Sequence, residues 1–161
     1  MKTRTITIPK KDIFFDVDAV THVFSRASEG NGLQRADAVE SDTGDDLNRE
    51  LITRFADHRA SELSENIGRF LSASGSAVSS ATVGISTATE YNFSLHVEDA
   101  FLDEMMGALA DQIEGYIANG VIADWYGTVE DAGAATYAQK LPVFLSRIQS
   151  IIVKRKFPTR T

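Results

Sequence analysis

Two long stretches of apolar residues at helical spacing, each opened by aspartate, constrain this chain more than any other feature. The first begins Asp45-Asp46-Leu47-Asn48-Arg49-Glu50-Leu51 and continues to Phe70 and Leu71. Leu47, Leu51, Phe55, Leu63, Ile67 and Phe70 or Leu71 mark its stripe, with Ile52 and Ala56 beside it. Arg49, Glu50, Arg54, Asp57, Arg59, Glu62 and Glu65 are left for the other faces. Asp45 or Asp46 supplies the N-cap, and a helix of this length spans about 35–40 Å. The second stretch runs from Asp99 to Ala123-Asp124-Trp125-Tyr126. It aligns Phe101 or Leu102, Met105, Leu109, Ile113, Tyr116 or Ile117, Val121 and Trp125, with Gly127 placed to end it. Gly107, Gly115 and Gly120 lie inside, each costing roughly 1 kcal/mol against alanine. They predict close approach of another helix, or a break near Asn119-Gly120. Trp125 and Tyr126 read as core side chains or as the anchor of a subunit interface.

The remaining elements are arranged around these two helices. Thr3 to Ile8 alternates polar and β-branched apolar residues, a short strand that Pro9 ends. Ile13, Val17, Val20 and Phe24 share one face of a first helix, Lys11 to Ala27, with Asp12, Asp16 and Asp18 near its start. Residues 28–44 are polar and glycine-bearing, a long loop of the kind that binds or moves. Ser72 to Ser80 is rich in serine, alanine and glycine. Val83 and Ile85, then Tyr91, Phe93, Leu95 and Val97, predict a hairpin over Thr82–Val97 with one apolar face. A fourth helix is predicted from Glu130 through Ile152, kinked or restarted at Pro142. Residues 154–161 form a basic arm. The expected architecture is a single domain over 1–161, mainly α: a bundle of about four helices with a small antiparallel β element.

Chemistry is hard to find in these residues. The chain has no cysteine, which removes disulfides, thiolate metal sites and cysteine nucleophiles together. His22, His58 and His96 fall on three different elements and match no metal-binding spacing. Glu98, Asp99, Asp103 and Glu104 read best as negative charge complementing a helix N-terminus. No glycine pattern fits a phosphate loop, and Ser74-Gly75-Ser76 lacks the flanks of a nucleophile elbow. The expectation is a protein that is no enzyme and needs no cofactor. A net charge of −7 argues against general nucleic-acid binding. No apolar run approaches a bilayer span, and the first nine residues lack the core of a signal peptide, so cytoplasmic synthesis is expected. Lys154, Arg155, Lys156 and Arg160 hold the concentrated positive charge. They serve as a solvated helix end or as a docking arm for an acidic partner or DNA phosphate.

Asp124-Trp125-Tyr126, Ala138, Leu145, Ile148 and the end Arg155-Lys156-Phe157-Pro158-Thr159-Arg160 resemble small phage and prophage proteins of Bacteroides-type hosts. Thr7-Ile8-Pro9-Lys10 and Asp45-Asp46 before a long helix are similar to the same set. The paired amphipathic helices with a basic C-terminal arm, over roughly Asp46 to Arg160, resemble head–tail connector (adaptor) proteins of tailed phages. Pro142, the N-terminal strand and the hairpin depart from the simplest of these. The resemblance implies a virion protein at the head–tail junction, a ring of about twelve subunits beneath the portal that extends the DNA channel toward the tail. Its partners would be other copies of itself, the portal and tail or neck proteins, with DNA passing through the lumen without specific binding. Lys154, Arg155, Lys156 and Arg160 are the expected contacts, with Trp125 and Tyr126 if they anchor the interface. A tail-completion or other neck ring protein, a small helical ligand-binding protein and a regulatory protein are the alternatives.

Overall fold

Alternation in the first nine residues produces a strand whose partner lies some ninety positions away. In a computed structural model describing residues 1–30, 46–72, 89–129 and 132–155, β1 (Lys2–Pro9) pairs antiparallel with β2 (Glu90–Val97). Lys2 stands opposite Val97, Ile6 opposite Phe93 and Pro9 opposite Glu90. The outer face is a ladder of small polar pairs: Thr5 Oγ1 lies 3.1 Å from Ser94 Oγ, and the Thr7 hydroxyl donates to Asn92 Oδ1 at 2.6 Å. The inner face carries Ile6, Ile8, Tyr91, Phe93, Leu95 and Val97, all buried. Two strands alone are marginal in water; here their apolar face belongs to the same hydrophobic cluster as the helices. The predicted strand at Val83 and Ile85, and with it the first arm of the hairpin, lies outside the described residues. The partner of Tyr91–Val97 among the described residues is β1.

Helix α1 (Lys10–Gly30) follows Pro9 directly, with Ile13 and Val17 fully buried and Val20 packed against the core. It continues three residues past the expected end, so Ser28 to Gly30 are helical rather than loop; the rest of the predicted 28–44 loop lies outside the described residues. Helix α2 (Asp46–Asn66) ends earlier than its pattern suggested, giving way to a 3₁₀ turn at Gly68–Phe70. Beyond it Leu71 bridges to Leu95, and the Ser72 N–H donates to the Ser94 carbonyl at 2.8 Å, which brings the turn beside β2. The buried stripe of α2 is Ile52, Ala56, Ala60 and Leu63, continued by Ile67. Leu47, expected in the stripe, is 77% exposed.

The predicted helix from Asp99 starts later. Residues 98–102 form a turn in which Phe101 is buried and bridges to Arg155; a 3₁₀ turn at Asp103–Met105 then leads into α3 (Met106–Thr128). Lys2 and Arg4 of β1 capture Asp103, and this early tie holds the 98–105 segment out of the helix. Helix α3 is the centre of the bundle, in contact with α1, α2 and both helices that follow it. Buried residues lie on every side of it, from Leu109 and Ile113 to Ile122 and Tyr126, the signature of a helix enclosed by others. It runs unbroken through Asn119-Gly120, and it passes Gly127 to end at Thr128. The predicted fourth helix is two: α4 (Gly133–Ala138) and α5 (Leu141–Ile152). Pro142 restarts the chain in the first turn of α5, where a missing N–H costs nothing.

The glycines of α3 divide by what lies above them. A Cβ on Gly115 would stand 2.6 Å from the Phe144 ring of α5. One on Gly120 would stand 2.7 Å from Cδ of Arg59 on α2, whereas nothing approaches Gly107 within 4 Å. Substitutions to alanine should therefore differ in sign. Gly107→Ala is expected to stabilise by about 0.5–1 kcal/mol through helix propensity. Gly120→Ala is expected to destabilise by about 1–3 kcal/mol through overpacking. Urea melts of the two variants measure the contrast.

Candidate partner-docking cleft

The end of the molecule where α2, β2 and α5 terminate contains an open cleft of about 460 Å³. Phe70, Val97, Phe101, Ile152 and Val153 provide its apolar surface. Arg69, His96, Glu98, Lys154, Arg155 and the amino end at Met1 provide its polar groups. Each arrives by a definite route. The 3₁₀ turn after α2 delivers Arg69, whose guanidinium lies 4.5 Å from the centre of the Phe70 ring. The Phe101–Arg155 bridge joins the segment after β2 to the segment after α5. Arg155 then donates to Glu98 Oε1 at 2.6 Å, and the Lys2 ammonium bonds the Phe101 carbonyl at 3.3 Å.

Charge in the cleft is lopsided. The four cationic groups Met1, Arg69, Lys154 and Arg155 line it against one carboxylate, Glu98, in a chain of net charge −7. Arg155 is committed to Glu98, and the Met1 ammonium sits 3.0 Å from Asp99. Among the described residues, neither Arg69 nor Lys154 has a carboxylate partner. Of the acidic cluster Glu98, Asp99, Asp103 and Glu104, Asp103 and Glu104 stand in the 3₁₀ turn that opens into α3, as expected, while Glu98, Asp99 and Asp103 also pair with Arg155, the Met1 ammonium, and Lys2 with Arg4. Hydrogen bonds from Arg4 and then Lys2 hold the Asp103 carboxyl well below its usual range.

Of the residues expected to meet a partner, the structure brings Lys154 and Arg155 into this cleft. Trp125 is 6% exposed and Tyr126 fully buried, so both belong to the core rather than to an interface. Lys156 and Arg160 lie outside the described residues. His22, His58 and His96 are exposed and remain on separate elements. His96 joins the cleft wall, with Nδ1 3.4 Å from Thr3 Oγ1. Among the described residues no group of three or more histidines and carboxylates is arranged to hold a metal.

Two buried polar knots escaped the sequence reading. Lys10, 5% exposed, donates to Asp57 Oδ1 at 2.9 Å, and the Tyr91 hydroxyl donates to the same oxygen at 2.5 Å. The Lys10 ammonium also lies 4.8 Å from the Tyr91 ring centre. Burial and then Asp57 push the Tyr91 phenol far above its ordinary range, so it stays protonated. Arg59 makes two bonds to Asp124, at 2.8 and 2.6 Å, and one to Glu62 at 2.7 Å. Nearby, burial and then Glu62 push Tyr116 up to about 12. In each knot the donors and acceptors are matched within the protein, which suits holding helices in place.

A third cluster is less comfortable. Asp16 of α1 and Glu114 of α3 are half-buried carboxyl groups close enough to act on each other. Burial raises both; Asp12 raises Asp16 further, and Asp16, Asp12 and Asp111 raise Glu114. The folded state thus keeps protons that the unfolded chain has released. This cluster's contribution to stability falls as pH rises from the ordinary carboxylate range through the raised values. Asp16→Asn is expected to raise the Tm at neutral pH and to flatten that loss, as thermal melts between pH 4 and 7.5 would record.

Comparison with known protein families, with curated proteins and with solved structures finds no match to this chain.

Proposed function

We propose that the protein is a structural subunit of a phage neck, a head–tail connector assembling as a ring beneath the portal. The observation that supports it best is the cleft. Exposed Arg69 and Lys154 stand beside Phe70 and Val153 at one end of a helical bundle, where Glu98 and Asp99 are paired with Arg155 and the Met1 ammonium. Apolar floors rimmed by unpaired charge suit docking of another chain, with the charge setting register and rate of encounter. The polar knots brace the helices without exposing a reactive group, which agrees with a scaffold that performs no reaction. An acidic subunit also suits a channel along which DNA slides without sticking. In this reading the other copies of the chain, the portal and the tail or neck proteins are the partners, and the virion is the destination.

The experiment is binding of the purified chain to a purified portal ring, with Arg69→Glu/Lys154→Glu as the comparison. The connector reading expects the wild-type chain to add to the portal as a multimer. The variant is expected to keep its Tm, because neither side chain is ionically paired among the described residues, and to lose at least about tenfold in affinity, roughly 1.4 kcal/mol. Unimpaired binding by the variant would remove the cleft from the account.

A further inference from the structure

The outer edge of β1 is an array of backbone groups that the described fold leaves unused. In an antiparallel pair, opposed residues either exchange both backbone hydrogen bonds or turn both groups away from each other, in alternation. Two bonds fix the phase here. The Ser94 carbonyl accepts from the Ser72 N–H at 2.8 Å, so Ser94 faces away from β1, and Thr5 opposite it faces away from β2. One residue past the strands the Lys10 N–H bonds the Thr89 carbonyl at 3.0 Å, which sets the even positions of β1 toward β2. Thr3, Thr5 and Thr7 therefore direct three N–H and three C=O groups outward, and all three residues are exposed. Among the described residues none of these six groups has a backbone partner. Pro9, the next outward position, has no N–H and closes the array.

Natural sheets guard such edges with lysine, proline or a covering segment. On β2 the guard is Leu71 and Ser72, which lie along its outer edge. On β1 the two charges are tied down instead, Lys2 and Arg4 both being held by Asp103. What remains at the edge is uncharged and β-branched, and its order Thr3-x-Thr5-x-Thr7 reads the same in both directions.

We propose that the outer edge of β1 pairs antiparallel with the same edge of a second copy of this chain, about a two-fold axis at Thr5. In that register Thr5 meets Thr5, and Thr3 of each copy meets Thr7 of the other. All six outward groups of each copy are then bonded, and two sheets of two strands join into one of four. The self-complementary order of the strand selects both occupant and register. A slip of two residues one way sets Thr3 against Pro9, which has no N–H to give. The same slip the other way sets Thr7 against Met1, whose ammonium is taken by Asp99. Threonine pairs across strands are favourable in their own right. The pair belongs to the free chain and does not rest on the connector reading: subunits of a ring that all face one portal have no two-fold axis between neighbours, so the pair opens before such a ring forms. A contact this narrow is of the weak, transient class and forms as concentration rises.

The chain has no cysteine, so any disulfide comes from introduced residues. Thr3→Cys, Thr5→Cys and Thr7→Cys each replace an exposed side chain. Cα atoms of a hydrogen-bonded pair stand about 5.5 Å apart, within reach of a disulfide. The full chain is oxidised at high concentration and run on a denaturing gel. Thr5→Cys is expected to give a covalent dimer by itself. Thr3→Cys and Thr7→Cys are expected to stay monomeric alone and to cross-link when mixed. A further variant, Thr5→Pro, removes an outward N–H and leaves the bonds between β1 and β2 in place. Sedimentation of the folded variant is expected to show dimer formation weakened at least about tenfold. Equal cross-linking by all three single variants would mean chance collision and overturn the proposal. So would the absence of any cross-link, or unaltered association of Thr5→Pro. None of these results bears on portal binding, which tests the connector reading separately.

Discussion

Replacing Phe93 by alanine is expected to cost about 3–5 kcal/mol, the range for deleting a buried aromatic ring. The ring is fully buried on the inward face of β2, opposite Ile6 of β1. It is one of the largest enclosed side chains in the molecule. The two-stranded sheet is stable only because this face packs on the helices, so the vacated space weakens both layers together. Domains of ordinary stability have about 5–15 kcal/mol in hand. At about 2–4 °C per kcal/mol for a chain of this size, the Tm should fall by roughly 10 °C. Thermal melts followed by circular dichroism measure it. A fall of only 1–2 °C would mean that the strands contribute little to the cooperative unit.

Asp124→Ala is expected to be nearly as damaging, about 3 kcal/mol, for an electrostatic reason. Arg59 is held at 16% side-chain exposure across the surface of Gly120, with its guanidinium gripped on two nitrogens by Asp124. Loss of that carboxylate leaves a largely buried cation with Glu62 as its remaining partner among the described residues, hence the low end of the range for breaking a buried pair. The Arg59 guanidinium is raised even above its usual range, chiefly by its bond to Asp124. Replacing both partners, Arg59→Met with Asp124→Leu, should recover most of the loss, because no charge is then stranded. A double-mutant cycle in urea separates the cases. If the double variant is no better than Asp124→Ala, the damage comes from packing around Gly120 rather than from the uncompensated charge.

The sequence revealed the class of fold because its main signals are local. Thr3 to Ile8 and Tyr91 to Val97 alternate, and Ile13 and Val17 repeat at helical spacing, so strand and helix were both visible without tertiary knowledge. The stripe of α2 was misplaced by one position at its start because Leu47 outshines Ala56 and Ala60. Those alanines carry little hydrophobic signal, yet both are fully buried in the core. The start of α3 was displaced because Asp103 is drawn to Lys2 and Arg4, about a hundred residues earlier. No local pattern contains that attraction. Pro142, by contrast, announced the restart at α5 through its missing N–H.

The candidate site was visible only in part for the same reason. Lys154 and Arg155 stood out as a run of charge, whereas Arg69, Phe70, His96 and Phe101 reach the cleft through the 3₁₀ turn and the Phe101–Arg155 bridge. Their separation along the chain hides the grouping from any spacing rule. Trp125 and Tyr126 illustrate the converse: adjacent aromatics look like an interface anchor, but this part of α3 is packed among its neighbours and leaves Trp125 6% exposed and Tyr126 fully buried. The Lys10–Asp57–Tyr91 knot likewise joins three elements, and composition gives no sign of it.

The most direct test of the account is the mass of the purified full chain in solution, measured by sedimentation over a range of concentrations with and without the portal ring. A closed multimer, alone or on the portal, is the predicted result. A monomer at every concentration that leaves the mass of the portal ring unchanged would contradict it.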